Sequence, residues 1–342
     1  MPRYVALILV AIIILGVGVA VYAGTKNKSE TPPLLVDTAD AYTAEVSDLI
    51  SLYHNSTGEP VAPPKGGGSF TLAREIAQGE PSDVFFSVAL SAYTGSYLDK
   101  YSPGWAIAVA ADQMVLAYSN STLSDTQASA LISSFKEAYD ENSSSMFNQS
   151  FTKLTSGAFK VGISDPNSDP AGFRAWLVLE MASTLYAHRG DGFFGNRLTS
   201  VSSNVTASNA ALLVAPLEDG QIQFLFTYRS SAIAKHLGYL MLPSQINLGS
   251  SNEAEFYSKF SYKLATGNVT GSPIYLYVSI PLNAPNQNQG LKFVQFCVNH
   301  VSVLETFGLQ PLEPALLYNS TTLPSQLASL LLSGEITYSG PI

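Results

Sequence analysis

Short apolar segments alternate with segments of helical periodicity along the chain after residue 33, and this alternation constrains the fold most. The strand-like segments cover residues 34–36, 84–86, 105–109, 114–118, 159–163, 222–228 and 274–280. The helix-like segments cover residues 41–53, 91–100, 124–138, 170–187, 289–301 and 324–332. Because strands alternating with helices build helix-covered sheets, the pattern predicts an α/β protein with mixed, mostly parallel sheets. The length of 342 residues and the two blocks of strands and helices predict two lobes.

The N-terminal segment, residues 1–24, contains a run that is long enough to cross a membrane. Residues 4–23 carry no charge and are almost all apolar, with Arg3 before them and Lys26 after them. Such a run forms a retained transmembrane anchor, or it is a signal peptide that is removed on export. Residues 25–33 have the composition of a short polar linker.

Eight Asn-X-Ser/Thr sequons also indicate export. They begin at Asn27, Asn55, Asn120, Asn142, Asn148, Asn204, Asn268 and Asn319. Such sites are glycosylated on exposed loops of exported proteins, although a chain rich in Ser and Thr also produces some by chance. Two Ser- and Asn-rich stretches, 142–150 and 199–209, are predicted to be exposed loops. Together with the N-terminal run, the sequons predict a glycoprotein on the extracellular face of the cell membrane, anchored there or secreted after cleavage.

Charge and cysteine content exclude several classes of function. The formal net charge of −9 argues against nucleic acid as a partner, because phosphate binding requires a basic surface. The single cysteine, Cys297, permits neither an intramolecular disulfide nor a cysteine metal cluster. The four histidines lie far apart in the sequence, so a structural zinc site is not expected.

The motifs in the chain favour a binding protein over an enzyme. Residues 190–195 match G-x-G-x-x-G, but they follow a predicted helix rather than a strand, so we interpret them as a loop. The sequence contains no G-x-S-x-G, P-loop or H-E-x-x-H motif. We therefore predict neither an enzymatic activity nor a cofactor.

Two segments have the composition of anion-binding turns. Residues 66–71 run through three glycines into a helix, and glycines let main-chain N–H groups approach a ligand at the positive end of that helix. Ser69 adds a hydroxyl donor there, or it caps the helix after an ordinary Gly-rich turn. Residues 226–230 end a strand, where Tyr228 offers a phenolic O–H to a ligand or simply packs in the core.

A third segment, residues 162–174, joins a strand to a helix through a turn-rich loop. Pro170 begins the helix and Asp169 is its predicted N-cap. The free N–H groups of Ala171 and Gly172 then point toward anything that docks at the helix start. Asp169 repels a dianion unless it caps the helix sideways or binds the central metal of the ligand, and a plain N-cap is the simpler alternative.

The three segments suit the same kind of ligand. Turns between strand ends and helix starts gather at the carboxyl edges of parallel strands, where ligands bind in α/β folds. Three of them in one cleft would supply many uncharged donors and few counter-charges. That combination favours a compact oxyanion and is compatible with an acidic chain.

At these residues the chain resembles the tungstate/molybdate-binding proteins of archaeal ABC importers, in the type II periplasmic-binding-protein superfamily. The similar stretches are residues 67–69, 73–76, 82–85, 105–119, 162–174, 228–232, 242–248, 280–281 and 307–311. The run of residues 169–174 resembles a D-P-x-G-Y-R motif, and residues 228–232 and 242–248 read Y-x-S-x-A and L-P-x-x-I-N-L. These motifs are specific in combination, whereas each alone is weak.

The resemblance implies a two-lobed clamshell that closes on a tetrahedral oxyanion, tungstate or molybdate, and delivers it to an ABC permease in the membrane. It implies that residues 34–115 and 243–342 form the first lobe and that residues 116–242 form the second, with hinges near residues 113–117 and 240–243. A monomer is expected. The ligand-contacting positions implied by the resemblance are Ser69, Asp169, Pro170, Ala171 and Tyr228.

The chain departs from the family pattern at two positions. Members usually carry a Gly-Ser pair after the first strand, where this chain places Asp40 and Ala41 at the ligand instead. Archaeal members also supply a glutamate where the aligned residue here is Ala210, so Asp169 would lack a second carboxylate and the oxyanion would stay four-coordinate. These departures leave open a sulfate-like anion, or a glycosylated cell-surface structural protein that kept the fold.

Overall fold

The computed structural model describes residues 32–190 and 192–342, and its compact body runs from Leu34 to Ile342. The predicted anchor or signal segment, residues 1–24, lies outside the described residues, as does most of the predicted linker. Within the described ranges, none of the helices combines the length and the apolar character that crossing a bilayer requires.

The described residues contain strands in three sheets and helices on their faces. The strands are β1 Val36–Ala39, β2 Lys65–Gly67, β3 Val84–Ser87, β4 Trp105–Asp112, β5 Met114–Tyr118, β6 Val161–Gly162, β7 Asn204–Val205, β8 Phe224–Tyr228, β9 Gly238–Met241, β10 Ser261–Leu264, β11 Gly267–Thr270, β12 Ile274–Ser279, β13 Gln310–Asn319 and β14 Ile336–Gly340. The α-helices are α1 Thr43–Thr57, α2 Ser69–Ala77, α3 Gly95–Leu98, α4 Asn120–Ser124, α5 Thr126–Asp140, α6 Ser144–Leu154, α7 Pro170–Tyr186, α8 Phe193–Ser200, α9 Val214–Glu218, α10 Arg229–Ala234, α11 Ser244–Asn247, α12 Ala254–Tyr257, α13 Gln287–Asn299 and α14 Ser325–Ser333. Short 3-10 helices cover Asp40–Tyr42, Leu90–Tyr93, Asp99–Tyr101, Ala211–Leu213, Ser251–Glu253 and Val301–Phe307.

The first domain is built on a seven-stranded sheet with the strand order β14-β13-β4-β12-β3-β1-β2. Strand β1 runs parallel to β2 and β3, and β13 runs parallel to β14, whereas β4 and β12 are antiparallel to all their neighbours. Strands β3, β4 and β12 are buried along their whole lengths. They are therefore continuous apolar runs rather than alternating ones, because helices cover both faces of the sheet.

The second domain is built on a five-stranded sheet with the order β7-β6-β8-β5-β9. Strand β6 is parallel to β7 and β8, and β5 is antiparallel to β8 and β9. The chain enters this domain through the single residue Gln113 between β4 and β5. The chain returns to the first domain after β9. On this return, the carbonyl of Leu248 accepts a hydrogen bond of 2.8 Å from the N–H of Ile274, which begins β12 of the first sheet. Two chain segments thus join the two domains, and they connect the central strands β4 and β12 of the first sheet to the β5–β9 edge of the second.

The strand directions correct the prediction of mostly parallel sheets. Parallel and antiparallel pairs are equally frequent in both large sheets. The antiparallel strands β4, β5, β9 and β12 are those that carry the chain between the domains, so they run against the strands of the βαβ units. Their burial hides this in the sequence, because a buried strand is apolar in either direction.

Helix α6 contradicts the prediction of an exposed loop at residues 142–150. Phe147, Phe151 and Leu154 lie on one buried face of this helix at helical spacing, and the Ser143 side chain caps its start. The Ser and Asn residues that suggested a loop are exposed or half-buried on the other side, except Ser150, which is buried. The amphipathic period was therefore present in the sequence but masked by its polar composition.

Candidate functional site

The Gly-rich loop between β2 and α2 forms one wall of the crevice between the domains. A Cβ atom on Gly68 would lie 2.4 Å from the carbonyl oxygen of Ser168 on the second domain, so only glycine permits this approach. Gly68 precedes α2 and is its N-cap, so Ser69 is the first helical residue rather than the cap. The completely buried Ser69 hydroxyl accepts the N–H of Val88 at 3.3 Å.

Asp169 stands at the opposite wall, at the start of α7. As predicted, it is the N-cap of this helix and Pro170 follows at the first position. Its carboxylate accepts the N–H of Ala171 at 3.1 Å and the N–H of Ala210 at 3.0 Å. Burial raises the pKa of Asp169, although these hydrogen bonds and the nearby Arg174 guanidinium act to lower it.

Asp40 follows the end of β1 in the first domain and is also buried. One carboxylate oxygen accepts the N–H of Ala41 at 2.9 Å, and the other accepts the N–H of Ala211, on the second domain, at 3.1 Å. Burial is the larger cause and the negative charge of Asp169 the smaller one, and together they raise the pKa of Asp40 to about 7. Asp40 and Asp169 are therefore electrostatic neighbours across the crevice, and they titrate as a pair.

Tyr228 ends β8 and is bound to a buried cation. The guanidinium of Arg174 donates a 2.8 Å hydrogen bond to the Tyr228 hydroxyl and a 2.6 Å hydrogen bond to the carbonyl of Val88 in the first domain. The same guanidinium carbon lies 5.6 Å from the centre of the Tyr228 ring, and the Tyr42 ring stacks on that ring at 5.8 Å. Burial raises the pKa of Tyr228, so its hydroxyl keeps its proton.

Ser69 and Tyr228 are connected although they lie in different domains. The connection runs from Ser69 to the N–H of Val88, from the carbonyl of Val88 to Arg174, and from Arg174 to Tyr228. Further hydrogen bonds cross the crevice beside α2, one of them from the Arg74 side chain to the Asn167 carbonyl at 2.9 Å. The two domains are thus in direct contact along this crevice.

A second group of buried polar side chains lies behind Tyr228, where the chain passes between the domains. Asp112 accepts hydrogen bonds from the Tyr42 hydroxyl at 3.0 Å and from the Ser230 hydroxyl at 2.5 Å. Burial raises the pKa of Asp112 to about 6, against these hydrogen bonds. Glu45 is fully buried nearby, and neither of its carboxylate oxygens has a hydrogen-bond partner among the described residues. Burial and the charge of Asp112 raise the pKa of Glu45 to about 8.

The structure brings the sequence-predicted residues to one crevice in two sets. One set consists of the two carboxylates and the residues next to them, namely Asp40, Ala41, Asp169, Pro170 and Ala171. The other is the hydrogen-bonded path from Ser69 to Tyr228. The main-chain N–H groups of Ala41 and Ala171 are engaged by carboxylates.

Sequence reasoning missed several residues that build the crevice. Arg174 is the last residue of the motif at residues 169–174. Arginine side chains are rarely buried, so this position in the motif did not predict that Arg174 lies buried in the crevice. Val88 and Ala211 contribute only main-chain groups, which leave no signature in the side chains. Asp40 itself was predicted at the ligand, but the hydrogen bond of its carboxylate with Ala211, 171 positions away, was not.

The described residues offer no resident metal centre, because nowhere in residues 32–190 and 192–342 do three His, Cys, Asp or Glu side chains come together around a possible ion. Asp40 and Asp169 form a pair of carboxylates only. A role for Asp169 toward the central metal of a bound oxyanion is a separate matter and remains part of the proposal below.

Two α/β domains whose main-chain amides meet at an interdomain crevice define the class of proteins that enclose a small solute between two lobes. The family model of the bacterial extracellular solute-binding proteins matches residues 34–299, and the chain belongs to this family. Membership supports the predicted location outside the cytoplasm. Because the relatives are solute-binding proteins rather than enzymes, the prediction that the protein is not an enzyme is confirmed.

Two relatives are more than a third identical to this chain. An uncharacterized solute-binding protein of Saccharolobus solfataricus is 38% identical over 325 residues, covering 92% of this chain and 79% of the relative. One of Sulfurisphaera tokodaii is 38% identical over 323 residues, covering 92% of this chain and 85% of the relative.

Solved structures resemble this fold at low sequence identity. The periplasmic molybdate-binding protein of Azotobacter vinelandii has a TM-score of 0.56 at 17% identity, covering 81% of this chain and 98% of that one. The sulfate-binding protein of Mycobacterium tuberculosis has a TM-score of 0.56 at 12% identity, covering 90% and 93%. These likenesses confirm the predicted two-domain periplasmic-binding-protein fold.

Proposed function

We propose that the protein is the extracytoplasmic solute-binding component of an ABC importer, and that it captures a tetrahedral oxyanion between its two domains. Molybdate or tungstate is the proposed ligand, and sulfate is the next candidate. The resemblance of the crevice residues to the tungstate/molybdate-binding proteins supports this choice, and so does the fold shared with a molybdate-binding and a sulfate-binding protein.

One observation carries the proposal: main-chain amides from both domains converge on negatively charged oxygens in the crevice. The N–H groups of Ala41, Ala171, Ala210 and Ala211 all donate to the carboxylate oxygens of two aspartates. An oxyanion accepts the same hydrogen bonds as a carboxylate, and amide dipoles stabilise it without a basic surface. These hydrogen bonds support an anionic ligand in the crevice.

Hydrogen-bond donors on both walls explain how a ligand would favour closure. Ser69 and Ala41 belong to the first domain, whereas Ala171 and Tyr228 belong to the second. An anion that touches both walls gains its full set of hydrogen bonds only when the domains meet, so binding shifts the population toward the closed arrangement. The permease would recognise the closed arrangement.

Asp169 has two possible roles toward the ligand. As the N-cap of α7 it holds the first turn in place, and its own charge opposes an approaching dianion. If the ligand is molybdate or tungstate, the carboxylate can instead bind the central metal, which turns this repulsion into attraction. Ala210, which aligns with the glutamate of archaeal members, lies beside Asp169 and offers only its N–H.

Titration calorimetry with molybdate, tungstate, sulfate and phosphate tests the proposal on the purified protein. We expect saturable heat with at least one of these anions and a matching rise in Tm. A ligand at 100 times its Kd stabilises the folded protein by about 2.7 kcal/mol, which a thermal scan resolves. If none of the four anions produces heat or a shift in Tm, the proposed function is overturned.

A second candidate, a cell-surface structural protein on the same fold, is favoured by the same amides. The Asp40 and Asp169 carboxylates can satisfy these donors permanently, so the domains would stay together with no solute. Self-association into filaments, visible by electron microscopy in a preparation that binds no oxyanion, would support this candidate. A monodisperse protein that binds an anion would exclude it.

We also propose that the protein is a glycosylated monomer held at the membrane by its N-terminal segment or released after cleavage. Asn27 lies outside the described residues, and the other sequon asparagines are all exposed or half-buried, as glycosylation requires. A mass spectrum of the natural protein would report its N-terminus and its glycans together.

A further inference from the structure

The Asp40 carboxylate binds the donors that an oxyanion in this crevice would use. It accepts the N–H of Ala41 from its own domain and the N–H of Ala211 from the other domain. It therefore spans the crevice in the way that the proposed ligand would. An anion that binds both amides has to displace the Asp40 carboxylate, which is itself negatively charged and part of the protein.

The main chain at Asp40 is held by a hydrogen bond and by packing against β2. The Thr43 hydroxyl donates to the Asp40 carbonyl at 3.0 Å, and a Cβ atom on Gly66 would lie 3.6 Å from the Asp40 Cα and 2.8 Å from the Thr43 hydroxyl oxygen. The neighbouring strand β2 is thus packed directly against this turn. While the domains are closed, Asp40 therefore keeps both amides unless its carboxyl group rotates or loses its charge.

The surrounding charges favour loss of the charge. Asp169, on the second domain, repels the Asp40 carboxylate, and Lys235, beyond α10, attracts it more weakly. On the packed strand β2, Lys65 is committed to an ion pair of 2.9 Å with Glu75. On helix α1, Glu45 has Asp112 and Lys235 as its charged neighbours.

The buried cation offsets part of this negative charge but hydrogen-bonds to neither carboxylate. Arg174 acts on Asp169, but its hydrogen bonds go to the neutral oxygens of Tyr228 and Val88. Two ionised carboxylates and a bound dianion would leave the buried site strongly negative. Such a site takes up a proton before it accepts further negative charge.

We propose that Asp40 couples anion capture to proton uptake: the oxyanion takes the amides of Ala41 and Ala211 only when Asp40 carries a proton. This inference rests on the proposed function. The proton comes from solvent and stays on the Asp40–Asp169 pair, where the neutral carboxyl group turns from an acceptor into an O–H donor toward the anion. Because burial and Asp169 raise the pKa of Asp40 to about 7, this exchange falls near neutral pH.

Calorimetry of sulfate and molybdate binding between about pH 6 and pH 9 tests the inference, because both anions stay fully ionised in that range while a pKa near 7 is crossed. The proteins compared are the wild type, Asp40→Asn, and Asp48→Asn as a control that neutralises an exposed carboxylate on α1. We expect the affinity of the wild type and of Asp48→Asn to fall by about tenfold per pH unit above pH 7, as the uptake of one proton requires.

The same titrations in two buffers with different ionisation enthalpies count the protons. Wild type should take up close to one proton per anion above pH 7, and Asp40→Asn should take up almost none and bind with an affinity that is independent of pH. A wild-type affinity that does not change with pH, or the same slope in Asp40→Asn, would overturn the inference and leave the proposed function intact. If Asp40→Asn does not fold, the wild-type proton count decides alone, and a count near zero overturns the inference. Absence of binding by every protein at every pH would instead remove the proposed function, and the inference with it.

Discussion

Asp40 and Asp169, which belong to different domains, accept hydrogen bonds from consecutive main-chain N–H groups: Asp40 from Ala211 at 3.1 Å and Asp169 from Ala210 at 3.0 Å. A single turn of the second domain therefore holds one carboxylate from each side of the crevice. The two like charges are kept close by donors that each of them needs. This arrangement is the basis of both the proposed anion binding and the proposed proton uptake.

Replacing Tyr228 by Phe should weaken both the fold and anion binding. The Arg174 guanidinium loses an acceptor at 2.8 Å in a fully buried position, and a hydrogen bond to a charged group contributes about 1.5–3 kcal/mol. Urea unfolding should show a loss of that size in the free energy of unfolding. Tyr139→Phe, on a side chain that is 41% exposed, is the matched control and should lose almost nothing. An unchanged unfolding midpoint in Tyr228→Phe would contradict the assigned role of this pair.

Ser69→Ala should destabilise the protein as well as weaken anion binding. Sequence reasoning alone suggests that this hydroxyl serves the ligand or caps the helix. In the structure it accepts the N–H of Val88 in a fully buried position, so its removal leaves a buried donor unsatisfied at a cost of about 1–3 kcal/mol. Thermal unfolding measures the loss, and Ser51→Ala on the exposed side of α1 is the control. Equal Tm values for the two variants would show that the Val88 hydrogen bond contributes little.

The stability of the protein should fall as the pH rises from about 4 to about 8. The carboxyl groups with raised pKa values are Asp37, Asp40, Glu45, Asp112, Asp169 and Glu180. An acid whose pKa is higher in the folded than in the unfolded state binds more protons when folded, so its contribution to stability is complete below the unfolded pKa and is lost as the pH passes the folded pKa. Denaturant unfolding at a series of pH values should therefore show the highest stability on the acid side of this range.

Glu45→Gln isolates the largest contribution to that dependence. Neither carboxylate oxygen of Glu45 has a hydrogen-bond partner among the described residues, and its pKa is raised to about 8. A neutral side chain of the same shape should raise the free energy of unfolding by about 1–3 kcal/mol above pH 8 and change it little near pH 5. Asp48→Asn, which changes an exposed carboxylate on the same helix, should leave the pH profile as it is. A Glu45→Gln profile parallel to that of the wild type would refute this assignment.

The features of the crevice that depend on neighbouring residues could be predicted from the sequence. The contacts between residues of different domains could not. The N-cap at Asp169 and the helix start at Pro170 follow from residues next to each other, so they could be predicted. The contact of Asp40 with Ala211 depends on how two domains meet and uses a main-chain donor, which has no side-chain signature. The Arg174 side chain was visible in its motif, but its partners were not, because Tyr228 and Val88 reach it from different domains.

Gly68→Ala should hold the domains apart without harming either of them. Gly68 has ordinary extended dihedral angles, with φ at −61°, so alanine fits its backbone conformation. The added Cβ would lie 2.4 Å from the carbonyl oxygen of Ser168, and two packed main chains have to separate to admit it. We therefore expect a larger radius of gyration by small-angle X-ray scattering in the presence of anion, together with weaker anion binding, because the donors of the two walls no longer meet. Gly95→Ala is the matched control, since no described atom lies within 4 Å of the position that its added Cβ would take, and α3 lies in the first domain alone. Scattering curves and affinities that are identical for Gly68→Ala and the wild type would mean that contact at this wall is not required for capture.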